Sequence, residues 1–489
     1  MPPKLTPPIR TLRGVRLGVT SDPGTTWDIT IEYPSNSTGG TISSITPAEK
    51  TKNLASSLPP LALPSLVHPH IHLDKAYIHN TPAYSSLLPT TGSFPEALSS
   101  TTRAKAQFTK PDLLKRGEWL LAESVAAGVT AMRAFVEVDH TVQHTCLEAG
   151  LTLKQKWADA CEVQLVCFAQ DPIFSTEFGD ENRRLVEEAI REFGPEEIGV
   201  LGTAPYVETS TEAAKKNIEW AVDLALGTDR HLDFHLDYNL SPLTQEPELL
   251  VWHVMRTLRE KGWTSSATTK RVMLGHCTRL ALFKEEDWTR VADEIREHNL
   301  PISFVGLPTS DLYMAAAAPS ESATKINPRG TLPIPDLINK YNLDAVLGVN
   351  NVGNAFTPWG SADPLGLACM GVGIYQAGTV SDAELLYACV SSRVRAAIGL
   401  SSPPGPYSSS SDGPGVCLKC EDRADILLLY DVDDTACMDD GESGTRPRRT
   451  VAEAVWDPPS RATRAVVCRG RVKLAALSDS YNTEFGFVE

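Results

Sequence analysis

The stretch Leu66-Val67-His68-Pro69-His70-Ile71-His72-Leu73-Asp74-Lys75 decides the reading of this chain. Leu61, Leu63, Leu66 and Val67 precede the histidines and read as a buried strand. On a strand, residues i and i+2 face the same side. His70 and His72 therefore present two imidazoles together at a strand end. Neutral imidazole suits Zn, Fe, Ni or Cu, whereas Ca and Mg prefer oxygen. A His-X-His also occurs as two solvated loop histidines, so the rest of the chain has to decide between them.

Working outward, seven further short apolar segments read as strands: 130–138, 163–170, 198–203, 232–237, 272–276, 302–306 and 345–349. Helical patterns lie at 113–127, 145–160, 182–193, 211–226, 246–261, 280–299 and 335–341, and one more, at 364–376, follows the last strand. Eight strand–helix units without a long interruption predict a closed (β/α)8 barrel rather than an open sheet. In that fold the chemistry sits at the C-terminal ends of the strands. His70 and His72 end strand 1, Gln170 ends strand 3, His235 strand 5, His276 strand 6 and Asn350 strand 8. A random scatter of eleven histidines would not put four of them at strand ends.

The flanks have a different character. Segments 11–33, 424–429 and 465–473 read as strands and predict a small β-sandwich-like domain built from both termini. The expected organisation is 1–60 and 401–489 for that domain, with loose insertions at 401–415 and 431–449, and 61–400 for the barrel. A hydrophobic fraction of 42% can fill a core of this size. The net charge of −16 argues against nucleic-acid binding and against anionic membranes. There is no run of about 18 apolar residues, the length of a membrane span, and the first ten residues lack an apolar core of signal-peptide length. Most of the ten cysteines sit in apolar contexts and read as buried thiols in a reducing compartment, so the cytoplasm is the expected location. Cys417 and Cys420 form a Cys-X-X-Cys with no second pair nearby, a weak signal for zinc or redox chemistry.

Taken together, several segments resemble the cytosine deaminase-like branch of the amidohydrolase superfamily. They are His-Pro-His-Ile-His-Leu-Asp-Lys (68–75), Gly-Val-Thr-Ala-Met-Arg-Ala-Phe-Val-Glu-Val-Asp (128–139) and Cys-Phe-Ala-Gln-Asp (167–171). Leu-Asp-Phe-His-Leu-Asp (232–237), Gly-His-Cys-Thr (275–278) and Pro-Trp-Gly-Ser-Ala-Asp-Pro-Leu (358–365) complete them. The resemblance implies one divalent transition metal, Zn or Fe, held by His70, His72 and His235. It implies His276 as the histidine that holds or polarises water at the metal, and Gln170 as the contact to an amide-like substrate edge. Three protein ligands and one open position make a catalytic rather than a structural site.

Two positions depart from the family. Asn350 stands where a metal-binding, proton-accepting aspartate is expected, and an amide cannot take a proton at neutral pH. Tyr238 stands where a proton-shuttling glutamate is expected, and a phenol is a poor base but a usable acid or donor. Asp237 at i+2 from His235, and Asp74 at i+2 from His72, share those histidines' faces and are candidates for a base or for steadying a ligand. Lys75, Asn351 and Trp359 are candidate substrate contacts, with a salt bridge as the plain alternative for Lys75. Phe135, Phe356 and Trp359 suggest an aromatic-walled pocket, and core packing is equally open for Phe135. His68 is left out of the site, and His79, His140, His144, His231, His253 and His298 read as packing or surface residues in helices or loops. Segment 78–110 is long for a loop at a barrel mouth, as lids are.

Three functions follow as expectations: a metal-dependent hydrolase of a non-peptide C–N bond in a small cyclic or amidine-like molecule; a non-hydrolytic Lewis-acid enzyme for cyclisation, isomerisation, elimination or decarboxylation; and a non-catalytic binding barrel. A small-molecule substrate is the expected partner, and a homo-oligomer is left open.

Overall fold

Ser65 divides the apolar run ahead of the histidines into two strands with different partners. The computed structural model describes residues 1–18, 25–35, 39–48, 59–244, 248–315, 329–401, 416–430 and 448–472. In it, Leu61–Pro64 pairs in parallel with Thr11–Leu17 and antiparallel with Ile426–Leu429. Leu66–His72 starts the barrel. Leu61 and Leu63 thus belong to the terminal sheet, not to the strand that carries the histidines. The hand-over is visible in the backbone: the Ser65 N–H bonds to the Asp425 carbonyl, and the next N–H, of Leu66, bonds to Gly128.

Eight parallel strands follow one another around the barrel in chain order. They are Leu66–His72, Val129–Glu137, Glu162–Ala169, Ile198–Thr203, His231–Leu236, Val272–His276, Ile302–Gly306 and Ala345–Leu347. Their residues are almost all buried, as expected for strands covered on both faces. Asn350 closes the ring. Its N–H bonds to the His70 carbonyl at 3.0 Å, its carbonyl accepts from the His72 N–H at 2.8 Å, and Ile71 and Asn350 form a parallel bridge. His231, expected outside the regular elements, is the first residue of the fifth strand.

Local signals explain where the helices begin and end. Lys110–Ala127 starts three residues before the expected boundary, because the Thr109 side chain caps Asp112 N–H and Pro111 sits in the first turn. It ends at Gly128, whose φ of +116° is a conformation L side chains rarely adopt. A Cβ there would also lie 2.8 Å from Leu427 of the terminal sheet.

The terminal strands make one seven-stranded sheet. Thr11–Leu17 pairs with Trp27–Glu32 through its first half and with Leu61–Pro64 through its end, so it joins the sheet's two halves. The Ile42 N–H reaches the Asp422 carbonyl, which brings the halves together around Leu12, Ile29, Ile42, Ile426 and Val467. Thr41–Pro47, not expected from the sequence, is the outer strand. Of the expected insertions, 402–415 and 431–447 lie outside the described residues. Among the described residues, no helix is long and apolar enough to cross a membrane.

Arg464 joins this sheet to the barrel. Its guanidinium forms two parallel 2.9 Å bonds to the Asp363 carboxylate and also donates to the carbonyls of Ala127 and Pro459. Arg464 is fully enclosed, and removing one partner of a buried pair strands the other charge. Arg464→Met is expected to lower the unfolding free energy by about 3 kcal/mol, read by denaturant titration. A loss below about 1 kcal/mol, the level of an exposed pair, would show that the clamp does not hold the two parts together.

Candidate active site

Strict alternation would put His68 on the same face as His70. A bulge prevents this: from His68 to Ile71 the first strand advances three residues while its neighbour advances two, from Met132 to Ala134. Pro69, which has no N–H to give the ladder, sits inside that bulge. His68 consequently points out of the barrel and bonds to Ser124 at 3.1 Å, and burial holds it neutral, with its pKa lowered to about 3. His70 and His72 point inward.

There they meet His235. His70 Nε2 lies 3.1 Å and His72 Nε2 3.2 Å from His235 Nε2. The three rings have essentially no solvent access, and burial, reinforced by neighbouring cationic groups, holds each well below the ordinary histidine range. Three neutral imidazoles with converging nitrogens fit a transition metal. Ligands on a tetrahedral ion with bonds of about 2.0–2.1 Å stand about 3.3 Å apart, close to the spacing found. A floor of aromatic rings fixes their directions: Phe135 lies 4.0 Å from the His70 ring and Phe168 4.4 Å from the His235 ring, centroid to centroid. Phe135 is therefore core beneath the histidines rather than a pocket wall.

His276 ends the sixth strand with φ +62°. Its ring centroid is 5.1 Å from that of His235. Nδ1 lies 2.8 Å from Asp311 Oδ1, and no described residue bonds to Nε2. Asp311 lies on Pro308–Met314, is fully buried, and is fixed by the Leu307 N–H and the Thr331 hydroxyl. Its carboxylate selects the tautomer that carries the proton on Nδ1 and leaves Nε2 as a base. Sequence reading missed Asp311, which reaches the site only through the helix after the seventh strand. Tyr238 stacks on the His276 ring at 3.8 Å and donates to the Ser310 carbonyl at 3.3 Å. Burial pushes its hydroxyl well above 10, so it stays protonated and serves as a platform.

Asn350 is buried with φ +67°. Its amide nitrogen donates to Ser310 Oγ at 2.8 Å, which fixes its orientation, and its Oδ1 has no partner. Lys75 and Gln170 lie together, Lys75 Nζ donating to Gln170 Oε1 at 3.2 Å. The Lys75 ammonium sits 5.9 Å from the Phe168 ring centre and 5.7 Å from that of Phe356. Its carboxylate partner is Glu137 at 2.5 Å, not Asp74.

Two expectations are corrected. Asp237 does not share the face of His235, because its backbone turns left-handed (φ +45°) and ends the alternation. Its carboxylate accepts from the N–H groups of Leu250 and Val251, capping Leu250–Glu260. Asp74 likewise accepts from the Glu137 N–H at 2.7 Å rather than steadying His72. The Asn351 side chain accepts from Asn354, which in turn donates to the Lys75 carbonyl, so it shapes the loop. Trp359 is 44% exposed, whereas Phe356 is buried. Segment 78–110 folds into two 3-10 turns and the helix Phe94–Lys105. Phe94 packs on Tyr238 and Phe356, and Lys105 inserts among Glu137, Asp139 and Asp171 at 2.6–3.0 Å.

No family model and no curated protein matches this sequence. Solved structures do. The 5-methylcytosine deaminase of Klebsiella pneumoniae, liganded with phosphonocytosine, is 18% identical with a TM-score of 0.72, over 95% of this chain and 98% of that one. N-isopropylammelide isopropylaminohydrolase from Burkholderia multivorans is 19% identical with a TM-score of 0.65, over the same shares. An adenosine deaminase from Xanthomonas campestris with bound zinc is 14% identical with a TM-score of 0.60, over 97% of each chain. At these identities the likeness shows a shared fold.

Because Asp237 caps a helix, Asp237→Ala is expected to lower stability by about 1–2 kcal/mol and to leave metal content unchanged. Denaturant titration and elemental analysis check both halves. Loss of metal in a folded variant would return Asp237 to the site.

Proposed function

We propose that the protein is a metal-dependent hydrolase cleaving a non-peptide C–N bond in a small cyclic or amidine-like molecule, with His276 taking the proton that Asn350 cannot. The observation that carries this reading is the junction of three converging imidazole nitrogens with a fourth imidazole whose tautomer is fixed by Asp311. The solved structures sharing the fold include deaminases and an aminohydrolase, one of the deaminases with bound zinc.

A divalent transition metal, zinc or iron, held by His70, His72 and His235 would supply Lewis-acid activation of water and of the carbon under attack. His276 Nε2 accepts the proton of the attacking water as the C–O bond forms. The imidazolium, stabilised by the Asp311 carboxylate, then returns that proton to the nitrogen as the C–N bond breaks, so ammonia or an amine departs neutral. Gln170 and Lys75 offer hydrogen bonds to a planar, amide-like edge, and Phe168 and Phe356 flank that position. The burial of His276, Lys75, Phe168 and Phe356 keeps bulk water away from the charges that develop.

Protein loaded with zinc or iron is expected to release ammonia or amine from a panel of aminated heterocycles and cyclic amides. A chelator should abolish the release and added metal should restore it. His276→Asn is expected to lower kcat about 100- to 10,000-fold while one metal per chain is retained. Undiminished turnover in that variant would place the base elsewhere.

One observation favours a second reading. The uncharged Asn350 Oδ1, fixed and without a partner, leaves a bound ion its full charge, which suits non-hydrolytic Lewis-acid chemistry. Asn350→Asp separates the two readings. It is expected to tighten metal binding about tenfold, the effect of roughly 1.4 kcal/mol from an added charged ligand, and to raise nitrogen release. If metal binding tightens while the native reaction falls and no nitrogen is released, the non-hydrolytic reading holds instead.

A further inference from the structure

Asp233 stands two residues before His235 on the same strand and faces the barrel interior one layer below the histidines. Its Oδ1 lies 3.7 Å from His70 Nδ1. Both atoms are fully buried and neither has a hydrogen-bond partner. Two lone pairs in that position would repel, so the proton of the neutral His70 ring belongs on Nδ1, and Nε2 then presents its lone pair to His235. The carboxylate is not free to turn away. Its Oδ2 pairs with Arg133 at 3.0 Å, and Arg133 is in turn fixed by Gln164 and by the Ile398 carbonyl. The His70 ring itself lies in a slot between Phe135 and Gly275, where a Cβ would stand 3.4 Å from the ring.

We propose that Asp233, anchored by Arg133, is a positioning residue that orients His70 and raises its basicity toward the metal. This rests on the reading of His70, His72 and His235 as the metal ligands. The chain Ile398–Arg133–Asp233–His70 then joins the barrel floor to the metal centre. Carboxylates behind ligand imidazoles act in this way, and their loss weakens metal affinity about 10- to 100-fold.

The test is metal affinity, not turnover. Metal-free full-length protein is titrated with Zn(II) against a chromophoric chelator, and with Co(II) by visible absorption. Wild type is expected to bind one equivalent, and His70→Ala to lose it. Asp233→Asn is expected to raise Kd about 10- to 100-fold and to alter the Co(II) spectrum. Because Asp233→Asn leaves Arg133 unpaired, the double variant Arg133→Met/Asp233→Leu removes both charges. It should show the same weakening with the melting temperature of the metal-free protein little changed. Wild-type affinity and an unchanged spectrum in either folded variant would overturn the role of Asp233 while leaving the metal site standing. A wild type that binds no metal, or binds it indifferently to His70→Ala, would overturn the site and this inference together.

Discussion

The imidazole nitrogens of His70 and His72, held 3.1 and 3.2 Å from that of His235 at the centre of a barrel, set the terms for everything near them. Bringing their lone pairs together is unfavourable unless a cation or shared protons stand between them, and desolvating a polar group without a partner costs of order 1–3 kcal/mol. The surrounding structure is arranged to hold this convergence. The bulge at Pro69 turns His68 away so that only His70 and His72 face inward. The aromatic floor of Phe135 and Phe168 stops the rings from swinging. Asp237, His276 and Asn350 each leave their strand ends with positive φ, at a cost on the order of 1 kcal/mol or more apiece. These non-glycine residues in left-handed conformations are gathered at the barrel mouth, where the strain re-aims side chains that regular strands would have pointed elsewhere.

The barrel was legible because its signal is redundant. Segments 198–203, 272–276 and 302–306 are the observed strands to the residue, each a buried apolar run bounded by turn-forming residues. The histidines His70, His72, His235 and His276 follow from strand ends alone. What failed was whatever depends on a single departure from regularity. Leu61 and Leu63 alternate as a strand should, yet nothing local says that the pairing partner changes at Ser65. Asp237 has the right parity, and one left-handed residue cancels it. Asp311 carries no local mark, since its meaning comes from a helix packed against His276. Asp233 did carry one: it has the same i−2 parity to His235 that His70 has to His72.

Tyr238 and Asn350, the two positions that depart from the pattern the sequence resembles, are both tied into the structure. The Tyr238 ring stacks on His276 while its hydroxyl donates to the Ser310 carbonyl. Asn350 closes the barrel through its backbone, a role any residue tolerant of positive φ can fill, and its side chain is fixed by Ser310. The Asn350 amide cannot accept a proton at neutral pH, whereas the His276 ring has the buried Asp311 carboxylate behind it.

The charges around the mouth complete this picture. Glu137 is enclosed between Lys75 and Lys105. Burial works against its carboxylate, but the two ammonium groups prevail and hold its pKa at about 2. Lys105 comes from the helix Phe94–Lys105, Lys75 from the segment just after the histidine strand, and Glu137 from the end of the second strand. A buried ion cluster of this kind contributes little net stability relative to apolar packing, yet it strongly penalises any arrangement that separates its members. Its effect here is therefore on specificity of arrangement. It fixes one end of the helix to the barrel rim while Phe94, at the other end, rests on Tyr238 and Phe356. The helix that rests on Tyr238 and Phe356 and the lysine that contacts Gln170 are thus tied through one carboxylate, which couples the placement of the helix to that of the polar groups.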